Sequence, residues 1–354
     1  METFDIGDRA VGPGEPTYVI AEAGSNHNGD LETAKELIDA AADAGADAVK
    51  FQTFRAEDLY VDDRGLVDDP EDSTYALLES LEQPYEWIPE LYEYCESRDI
   101  QFMSSPFDER SAAELAEYVP AFKVASFTLS HHPFLEELAE YDKPVIMSTG
   151  AHEQAEVEEA VGVLRENGVE DIALLHCVSS YPTSLEEINV RAVETLDREF
   201  DTVVGFSDHT TDPATAPAAA VALGASVVEK HFTLDKEMEG PDHSFALEPE
   251  GLVEMIEDIR STEKALGDGS LSLLDPETGS ANRARRRLFV SEDISAGERL
   301  TDATVDILRP GYTCREGLHP RYYDNVLGAE TTRDLSAGDP LTETDIDVEL
   351  SSDD

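Results

Sequence analysis

The sequence has little cysteine and no long hydrophobic run. Its 354 residues include three cysteines, Cys95, Cys177 and Cys314, with no CxxC pair among them. Disulfides, a structural zinc site and a redox motif are therefore not expected. No window approaches the roughly 20 apolar residues of a membrane span, and the first residues lack the basic and apolar regions of a signal peptide. We expect a cytoplasmic protein that does not associate with a membrane.

Basic residues are also scarce. The chain carries 25 Lys and Arg against 79 Asp and Glu, which gives a formal net charge of -54. Nucleic acid and anionic membrane surfaces are not expected as partners, because phosphates need a basic footprint. The acidic residues are spread along the whole chain, and at about 1 M salt the Debye length falls to about 3 Å and relieves their mutual repulsion. This charge predicts a protein of a high-salt cytoplasm.

Eight short apolar runs alternate with segments of helical periodicity. The predicted strands are Thr17–Gly24, Ala48–Phe54, Gln101–Phe107, Phe122–Ser126, Pro144–Thr149, Ile172–Val178, Val203–His209 and Val227–Thr233. Predicted helices include Glu32–Ala44, Glu153–Asn167, Pro213–Leu223 and Glu250–Leu266. Apolar strands that are each followed by a helix describe a parallel sheet covered by helices, and eight repeats close it into a barrel. The sequence therefore predicts an α/β fold, a (β/α)8 TIM barrel over residues 1–270.

The chain changes character after the barrel. Residues 271–287 combine turn residues with an arginine cluster and are predicted to be a linker. Residues 288–354 contain short β-like pieces and a near-repeat, Asp293–Thr301 and Asp334–Thr342, which predict a small, mostly β domain. Within the barrel, the longest irregular connection is Arg55–Gln83, which we interpret as a lid, a substrate loop or a surface insertion.

Polar residues collect at the carboxyl ends of the predicted strands, where barrel enzymes build their active sites. Only seven residues are lysine, and three of them, Lys50, Lys123 and Lys230, lie at these ends. We expect Lys50 and Lys123 to bind an anionic ligand, a carboxylate or a phosphate, and structural salt bridges are the alternative. Hydroxyl groups at Ser148 and Ser207 would add donors for phosphate oxygens. Further polar residues at these ends are Glu22, Asn26, His27, Gln52, Ser104, Ser105, Ser126, His176, Tyr181, Asp208 and Glu229.

Two histidines end neighbouring strands. His209 and His231 lie at the ends of the seventh and eighth predicted strands, so their imidazoles can converge on one divalent ion, with acids and water completing its shell. The alternative is that each is a structural histidine. The other histidines of loops and helix starts are expected mainly at the surface: His131, His132, His152, His243 and His319.

Together these motifs resemble the sialic acid synthase family, which condenses phosphoenolpyruvate with an N-acylated hexose to give a nine-carbon 2-keto acid. The resemblance runs through Ile20–Gly29, Val49–Thr53, Ser105–Phe107, Phe122–Ser126, Met147–Gly150, His176–Thr183, Gly205–Thr210, Glu229–Thr233 and Gly240–Asp242. The C-terminal part, with Ala296–Glu298 and Arg309–Gly311, is similar to the antifreeze-like SAF domain of these synthases. The resemblance implies a transferase of carbohydrate biosynthesis.

The resemblance also implies roles for individual residues. His209 and His231 would bind a divalent metal, usually Mn²⁺ in this family, with Mg²⁺ or Co²⁺ as alternatives. The phosphoenolpyruvate site would consist of Lys50, Ser105, Lys123, Ser126, Ser148 and Ser207, with Gln52 beside the reacting carbons. The open-chain sugar would contact Glu22, Tyr181 and Asp242, and Glu22 would be the candidate for proton transfer. In a domain-swapped homodimer, Arg309 would reach the sugar site of the partner; the alternative is a surface arginine.

One departure from the family leaves the acceptor sugar open. Where many relatives read Gly-Ser-Gly-Glu, this chain reads Ala125-Ser126-Phe127-Thr128, so the acidic sugar contact is missing. A pocket without that carboxylate is expected to prefer a deoxygenated or diacylated sugar, because an unmatched buried polar group weakens binding. The first interpretation is N-acetylneuraminate synthesis from N-acetylmannosamine, and the alternative is legionaminate or pseudaminate synthesis from a 6-deoxy diacetamido hexose. Two further hypotheses are a Schiff-base aldolase and a non-catalytic relative in polysaccharide assembly.

Overall fold

The computed structural model of the chain describes residues 3–70, 73–313 and 315–350. The chain divides into two units, residues 1–268 and 269–354. Cys314 lies outside the described residues, whereas Cys95 and Cys177 are buried free thiols. Within the described ranges, no helix has the length and the apolar character needed to span a membrane.

The first unit contains the eight parallel strands that the sequence predicts, preceded by a short antiparallel hairpin. In chain order its strands are β1 (Phe4–Ile6), β2 (Arg9–Val11), β3 (Tyr18–Gly24), β4 (Ala48–Thr53), β5 (Gln101–Pro106), β6 (Phe122–Val124), β7 (Val145–Ser148), β8 (Ile172–Cys177), β9 (Val203–Asp208) and β10 (Val227–His231). Strand β3 pairs with both β4 and β10, and the two outer strands of the order, β5 and β6, lie in contact and close the barrel. The predicted TIM barrel is confirmed.

Helices cover the outside of this barrel. They are α1 (Leu31–Ala44), α2 (Ala56–Leu59), α3 (Thr74–Leu81), α4 (Trp87–Ser97), α5 (Glu109–Leu115), α6 (His132–Ala139), α7 (Gln154–Glu166), α8 (Ala192–Glu199), α9 (Thr215–Ala222) and α10 (Pro249–Leu266). Helix α1 shows why these segments are helical. It buries Leu37 and Ile38 on one face, the Asp30 side chain accepts the Thr33 N–H as an N-cap, and Gly45 ends the helix with φ 84°.

The connection Arg55–Gln83, predicted to be irregular, contains helices α2 and α3 among its described residues. Ser73 caps α3 by accepting the Ala76 N–H, and Tyr75 and Leu81 are buried. The prediction missed these helices because both are short and the segment between them carries Asp, Gly and Pro.

The barrel has an inner and an outer apolar layer, because side chains alternate along each strand. The outer layer packs between the strands and the helices. The inner layer includes Tyr18, Ile20 and Met103 together with Phe4 and Ile6 of the N-terminal hairpin. The hairpin, which was not predicted from the sequence, therefore fills the amino end of the barrel with apolar side chains. The polar side chains of the interior lie at the carboxyl end.

The second unit is built around its own apolar core, which includes Leu288, Leu300 and Leu341. The segment predicted as a linker carries a short helix, α11 (Thr278–Ala284). Strand β11 (Arg287–Val290) then pairs antiparallel with β12 (Val305–Leu308), and the short helix α12 (Tyr323–Val326) follows.

The two copies of the near-repeat in the second unit pair with each other. Ile294 and Leu335 exchange both backbone hydrogen bonds at 2.9 Å. Asp334 accepts the Ala296 N–H at 2.8 Å, and Asp293 accepts the Ala337 N–H at 2.9 Å. The repeat is therefore a pair of equivalent turns, each capped by the aspartate of the other.

Candidate active site

A pocket opens at the carboxyl ends of the barrel strands. Every barrel residue to which the resemblance gives a role lines it: Glu22, Lys50, Gln52, Ser105, Lys123, Ser126, Ser148, Tyr181, Ser207, His209, His231 and Asp242. Its volume is about 120 Å³, below the roughly 300–1,000 Å³ of most ligand pockets. The interior therefore suits one small substrate. A larger partner would meet the rim, where Tyr181 is 46% exposed.

Lys50 on β4 is the centre of one ion-pair network. Its Nζ lies 2.6 Å from Glu22 Oε2 and 3.7 Å from Glu229 Oε2, and it donates to Ser105 Oγ at 3.1 Å. Burial alone would lower the pKa of Lys50, but the two carboxylates outweigh burial and raise it. Lys50 is therefore held as a cation inside the barrel.

Lys123 on β6 reaches the same place from another strand. It donates to Ser148 Oγ at 2.8 Å, and its Nζ lies 3.4 Å from Glu229 Oε1. Burial lowers the pKa of Lys123, while Glu229 opposes this shift. Two ammonium groups thus converge on one carboxylate, and an anion that entered the pocket would lie within reach of both.

The two buried carboxylates differ in their ionisation. Burial raises the pKa of Glu22 against the opposing effect of Lys50, and Gln52 donates to Glu22 Oε1 at 2.8 Å. Burial would also raise the pKa of Glu229, but the charges of Lys123 and Lys50 hold it below its ordinary value. Glu22 is therefore the carboxyl that takes up a proton more readily. Such a division of roles between two acids is typical of acid–base sites.

A glycine brings hydroxyl donors together beside Lys123. The Gly150 N–H donates to Ser126 Oγ at 3.2 Å. A Cβ at position 150 would collide with Ser179 Oγ and lie 2.9 Å from Ser126 Oγ. A side chain at position 150 would therefore displace these hydroxyls, whereas glycine leaves the Ser126 hydroxyl where oxygens of an anion can be bound.

His209 and His231 meet at the pocket with their ring centroids 5.3 Å apart. His209 Nδ1 lies 2.8 Å from the Val178 carbonyl oxygen, so this nitrogen carries the proton and Nε2 keeps its lone pair. His231 Nδ1 is buried without a hydrogen-bond partner, and Asp242 Oδ2 lies 3.5 Å from it. Two neighbouring imidazoles are donors of the kind that a divalent cation takes, and the Asp242 carboxylate lies beside one of them.

The pKa values of the two imidazoles are shifted in opposite directions. Burial lowers the pKa of His231 well below its ordinary value, which keeps this ring neutral, the form that binds metal. Burial would also lower the pKa of His209, but contact with Cys177 outweighs it and raises the pKa. Among the described residues, no three His, Cys, Asp or Glu side chains converge on one metal position. Water or substrate oxygens would therefore complete the shell.

Strand alternation turns part of the predicted strand-end set away from the pocket. Lys230 forms a buried ion pair with Asp208 outside the pocket lining. His176 faces the helices, where its Nε2 lies 2.7 Å from the Ile188 carbonyl oxygen. Asn26 donates to the Phe232 carbonyl at 2.8 Å. These three residues have structural partners and do not contribute to the site.

The prediction that His243 lies at the surface is wrong, because its side chain is 1% exposed. Its Nδ1 lies 2.6 Å from Thr233 Oγ1. The connection after β10 folds back onto the barrel, since Leu247 donates its N–H to the His231 carbonyl at 2.9 Å. His131 and His319 instead accept backbone N–H groups at helix starts.

Glu229 and Cys177 line the pocket as well, although no role was predicted for either of them. Glu229 lies two residues before His231, and residues two apart on a strand share a face, so the signal was available. Cys177 Sγ lies 3.7 Å from His209 Nδ1 and accepts a weak hydrogen bond from Ser126 at 3.5 Å.

Arg309 belongs to the second unit. It directly follows β12 and its side chain is exposed. Its role in a partner's sugar site stays a prediction.

A larger cavity of about 500 Å³ lies at the amino end of the barrel. Its lining includes Asp8, Asp47, Glu96 and Glu117 with Arg9. This acidic surface does not suit an anionic substrate, and barrel enzymes work at the opposite end.

The fold and the pocket define a barrel enzyme with two buried lysines and two imidazoles at the carboxyl ends of its strands. Comparison with known proteins places the chain more closely. Residues 37–271 match the NeuB family, and residues 285–347 match the SAF domain. The chain therefore belongs to the NeuB family and carries a C-terminal SAF domain, so the resemblance to sialic acid synthases is confirmed.

Several relatives match almost over their full length. The spore coat polysaccharide biosynthesis protein SpsE of Bacillus subtilis is 41% identical, covering 98% of each chain. An N,N'-diacetyllegionaminic acid synthase of Legionella pneumophila is 39% identical over 92% of this chain and 93% of its own. A pseudaminic acid synthase of Campylobacter jejuni is 38% identical over 93% and 96%. The chain is thus an enzyme of sugar-acid synthesis.

Solved structures agree with this assignment. The crystal structure of B. subtilis SpsE superposes with a TM-score of 0.67 at 40% identity and covers 99% of this chain and all of its own. The N-acetylneuraminic acid synthetase of Leptospira borgpetersenii gives a TM-score of 0.71 at 32% identity, covering 79% of this chain and 95% of its own.

Proposed function

We propose that the enzyme condenses phosphoenolpyruvate with an N-acylated hexose and releases a nine-carbon 2-keto sugar acid and phosphate. The observation that carries this proposal is the convergence of two buried lysines on one small pocket that also holds two imidazoles. The pocket is large enough for a three-carbon anion, and the exposed rim leaves the sugar a separate approach. Holding two reactants in line is a large part of catalysis for such a reaction.

The phosphoenolpyruvate site would use the cations and hydroxyls of the interior. Lys50 and Lys123 would bind the carboxylate and phosphate groups of this substrate, and charge-assisted hydrogen bonds of this kind are about twice as strong as neutral ones. The hydroxyls that would share this task are Ser105, Ser126, Ser148 and Ser207.

A divalent metal, Mn²⁺ by preference with Mg²⁺ or Co²⁺ as alternatives, would be held by His209 and His231. When bound, it would supply Lewis-acid polarisation of the sugar aldehyde. Asp242 and Tyr181, at the rim, would bind the open-chain sugar. The Tyr181 ring lies 4.1 Å from the His209 ring and restricts its orientation.

The protein groups would then act on the bonds that change. The enol C3 attacks the aldehyde carbon, water adds to C2, and phosphate leaves with cleavage of the C2–O bond. The Glu22 carboxyl, with its raised pKa, would deliver the proton that the aldehyde oxygen takes up. Gln52 donates to Glu22 and would fix its orientation beside the reacting carbons.

The acceptor is either N-acetylmannosamine or a 6-deoxy diacetamido hexose. The second is favoured by the turn that follows Lys123, in which Thr128 is buried and Phe127 is 66% exposed. An exposed aromatic ring next to the pocket residue Ser126 suits an acceptor with more apolar surface. The relatives include legionaminic and pseudaminic acid synthases as well as an N-acetylneuraminic acid synthetase, so their names support both acceptors.

Two further features belong to the same proposal. The enzyme would act as a domain-swapped homodimer in which Arg309 reaches the partner's sugar, and it would work in a high-salt cytoplasm. Cross-linking and sedimentation would test the dimer, and Arg309→Ala should raise the KM for the sugar with little change in the KM for phosphoenolpyruvate.

The experiment that tests the reaction measures phosphate release from phosphoenolpyruvate in molar KCl with Mn²⁺, with each sugar offered separately. We expect release that depends on one sugar and is abolished by a chelator. Absence of release with every sugar, in folded protein, would refute the reaction. Lys123, whose pKa burial lowers, is the candidate for an imine-forming lysine, so borohydride trapping with a keto acid is the control for aldolase chemistry.

A further inference from the structure

Among the described residues, Glu229 is the one acidic side chain of the pocket that contacts both Lys50 and Lys123. Its Oε1 accepts the Ser207 hydroxyl at 3.0 Å and lies 3.4 Å from Lys123 Nζ. Its Oε2 lies 3.7 Å from Lys50 Nζ. The side chain is 5% exposed, so its position is fixed by these contacts. A carboxylate here is unexpected in a pocket for a multiply charged anion, because it repels the substrate.

The geometry of phosphoenolpyruvate indicates which of its atoms the Glu229 carboxylate would face. Its carboxylate group and its phosphate oxygen are both attached to C2. If Lys50 and Lys123 each bind one of these two groups, a side chain that bridges the two lysines faces the carbon between them. Glu229 would therefore lie next to C2 of the bound phosphoenolpyruvate.

We propose that Glu229 is a further catalytic residue, whose carboxylate stabilises the positive charge that develops at C2 during condensation. This inference rests on the proposed function. When the C2=C3 π electrons form the new bond to the aldehyde carbon, C2 becomes electron-deficient and the aldehyde oxygen becomes an alkoxide. Water then adds to C2, and the C2–O bond to phosphorus breaks as the keto group forms. Glu22 gives its proton to the former aldehyde oxygen, one proton of the water restores Glu22, and the other leaves with the phosphate, so atoms and charge balance.

The charge of Glu229 is expected to affect substrate binding and turnover in opposite directions. In the ground state, Glu229 repels a trianion, whereas in the transition state it attracts a cationic carbon. Glu229→Gln keeps the size of the side chain and removes only the charge. We expect about tenfold tighter binding of phosphoenolpyruvate by the variant, because a neighbouring like charge is lost. We expect kcat to fall by about 10²–10³-fold, the size of effect seen when one preorganised electrostatic group is removed.

The experiment compares wild type, Glu229→Gln and Glu229→Asp in the same molar KCl buffer with Mn²⁺. Isothermal titration gives the Kd for phosphoenolpyruvate without sugar, and phosphate release gives kcat. Glu229→Asp is the matched control, since it keeps the charge and moves it by one methylene. Its Kd should stay near that of wild type, and its kcat should fall less than that of Glu229→Gln. A purely structural role would weaken binding and turnover together.

Each outcome has one meaning. Tighter binding with slower turnover in Glu229→Gln supports the proposal. Weaker binding of phosphoenolpyruvate, or an unchanged kcat, overturns it. If Glu229→Gln does not fold, a Glu229→Asp variant with wild-type kcat overturns it, and one with reduced kcat at unchanged Kd supports it. Failure of the wild type itself to release phosphate with any sugar is a different result, because it refutes the proposed function and this inference with it.

Discussion

Replacing Lys50 with methionine removes the ammonium group that lies 2.6 Å from Glu22 and 3.7 Å from Glu229. The side chains of Lys50 and Glu22 are 3% and 2% exposed, so solvent screens this pair very little. Methionine fills most of the volume of the lysine stem but carries no charge. Among the ion pairs of the described residues, the variant therefore leaves the buried carboxylates of Glu22 and Glu229 with Lys123 as the one remaining lysine partner.

The magnitude follows from the burial of the pair. Removing one partner of a buried ion pair costs about 3–5 kcal/mol, because the other charge remains without compensation. We expect about 3 kcal/mol for Lys50→Met, since Glu22 can take up a proton. Glu22→Gln alone should cost about 1.5 kcal/mol, because Glu229 still compensates Lys50. The double variant should lose only about 2 kcal/mol, so the two changes are coupled by about 2–3 kcal/mol.

The effect of Lys50→Met also depends on pH with a definite sign. Burial already raises the pKa of Glu22 in the wild type, and the loss of Lys50 lets it rise further. A carboxyl whose pKa is higher in the folded than in the unfolded chain destabilises the fold at pH above that pKa. The fold regains stability as pH falls and the carboxyl is protonated. The destabilisation should therefore shrink as the pH is lowered towards the pKa of Glu22, and the double variant should lack this change.

Urea unfolding in molar KCl, followed by tryptophan fluorescence, measures these free energies. Trp87 is the single tryptophan of the chain and packs against His27 in the barrel, so its signal reports on this unit alone. Additive single-variant effects, or a cost of Lys50→Met that does not change with pH, would refute the ion-pair network as the source of the stability.

Three further predictions test the site and the surface. Lys123→Met should raise the KM for phosphoenolpyruvate by about 10–100-fold, because a charge-assisted contact is lost, and Ser148→Ala should raise it by no more than about tenfold. Equal KM values for the two variants in steady-state kinetics would contradict the assigned roles. His209→Ala and His231→Ala should each abolish tight Mn²⁺ binding in isothermal titration, and wild-type affinity in either variant would exclude that histidine as a ligand. With a net charge of -54, the melting temperature should rise by at least about 10 °C between about 0.1 M and about 2 M KCl, because salt screens the repulsion. Equal melting temperatures would remove the case for a high-salt protein.

Much of the barrel could be predicted from local pattern. Strands buried on both faces read as continuous apolar runs, so the predicted Ile172–Val178 differs from the observed β8 by one residue. The connection Arg55–Gln83 could not be predicted in the same way. Its helices are short, and their stability comes from the burial of side chains such as Tyr75 rather than from propensity.

The sequence by itself determined the order of the strands and which segments end at the open face of the barrel, because hydrophobic periodicity and the polar residues after each run are local properties. Only the tertiary structure decided which of those polar residues enter the pocket. Lys230 and Glu229 are adjacent in the chain, yet one pairs with Asp208 outside the pocket and the other bridges two lysines inside it. The difference arises because neighbouring side chains on a strand point to opposite faces, and because the charges that set each group's ionisation come from strands far away in the sequence.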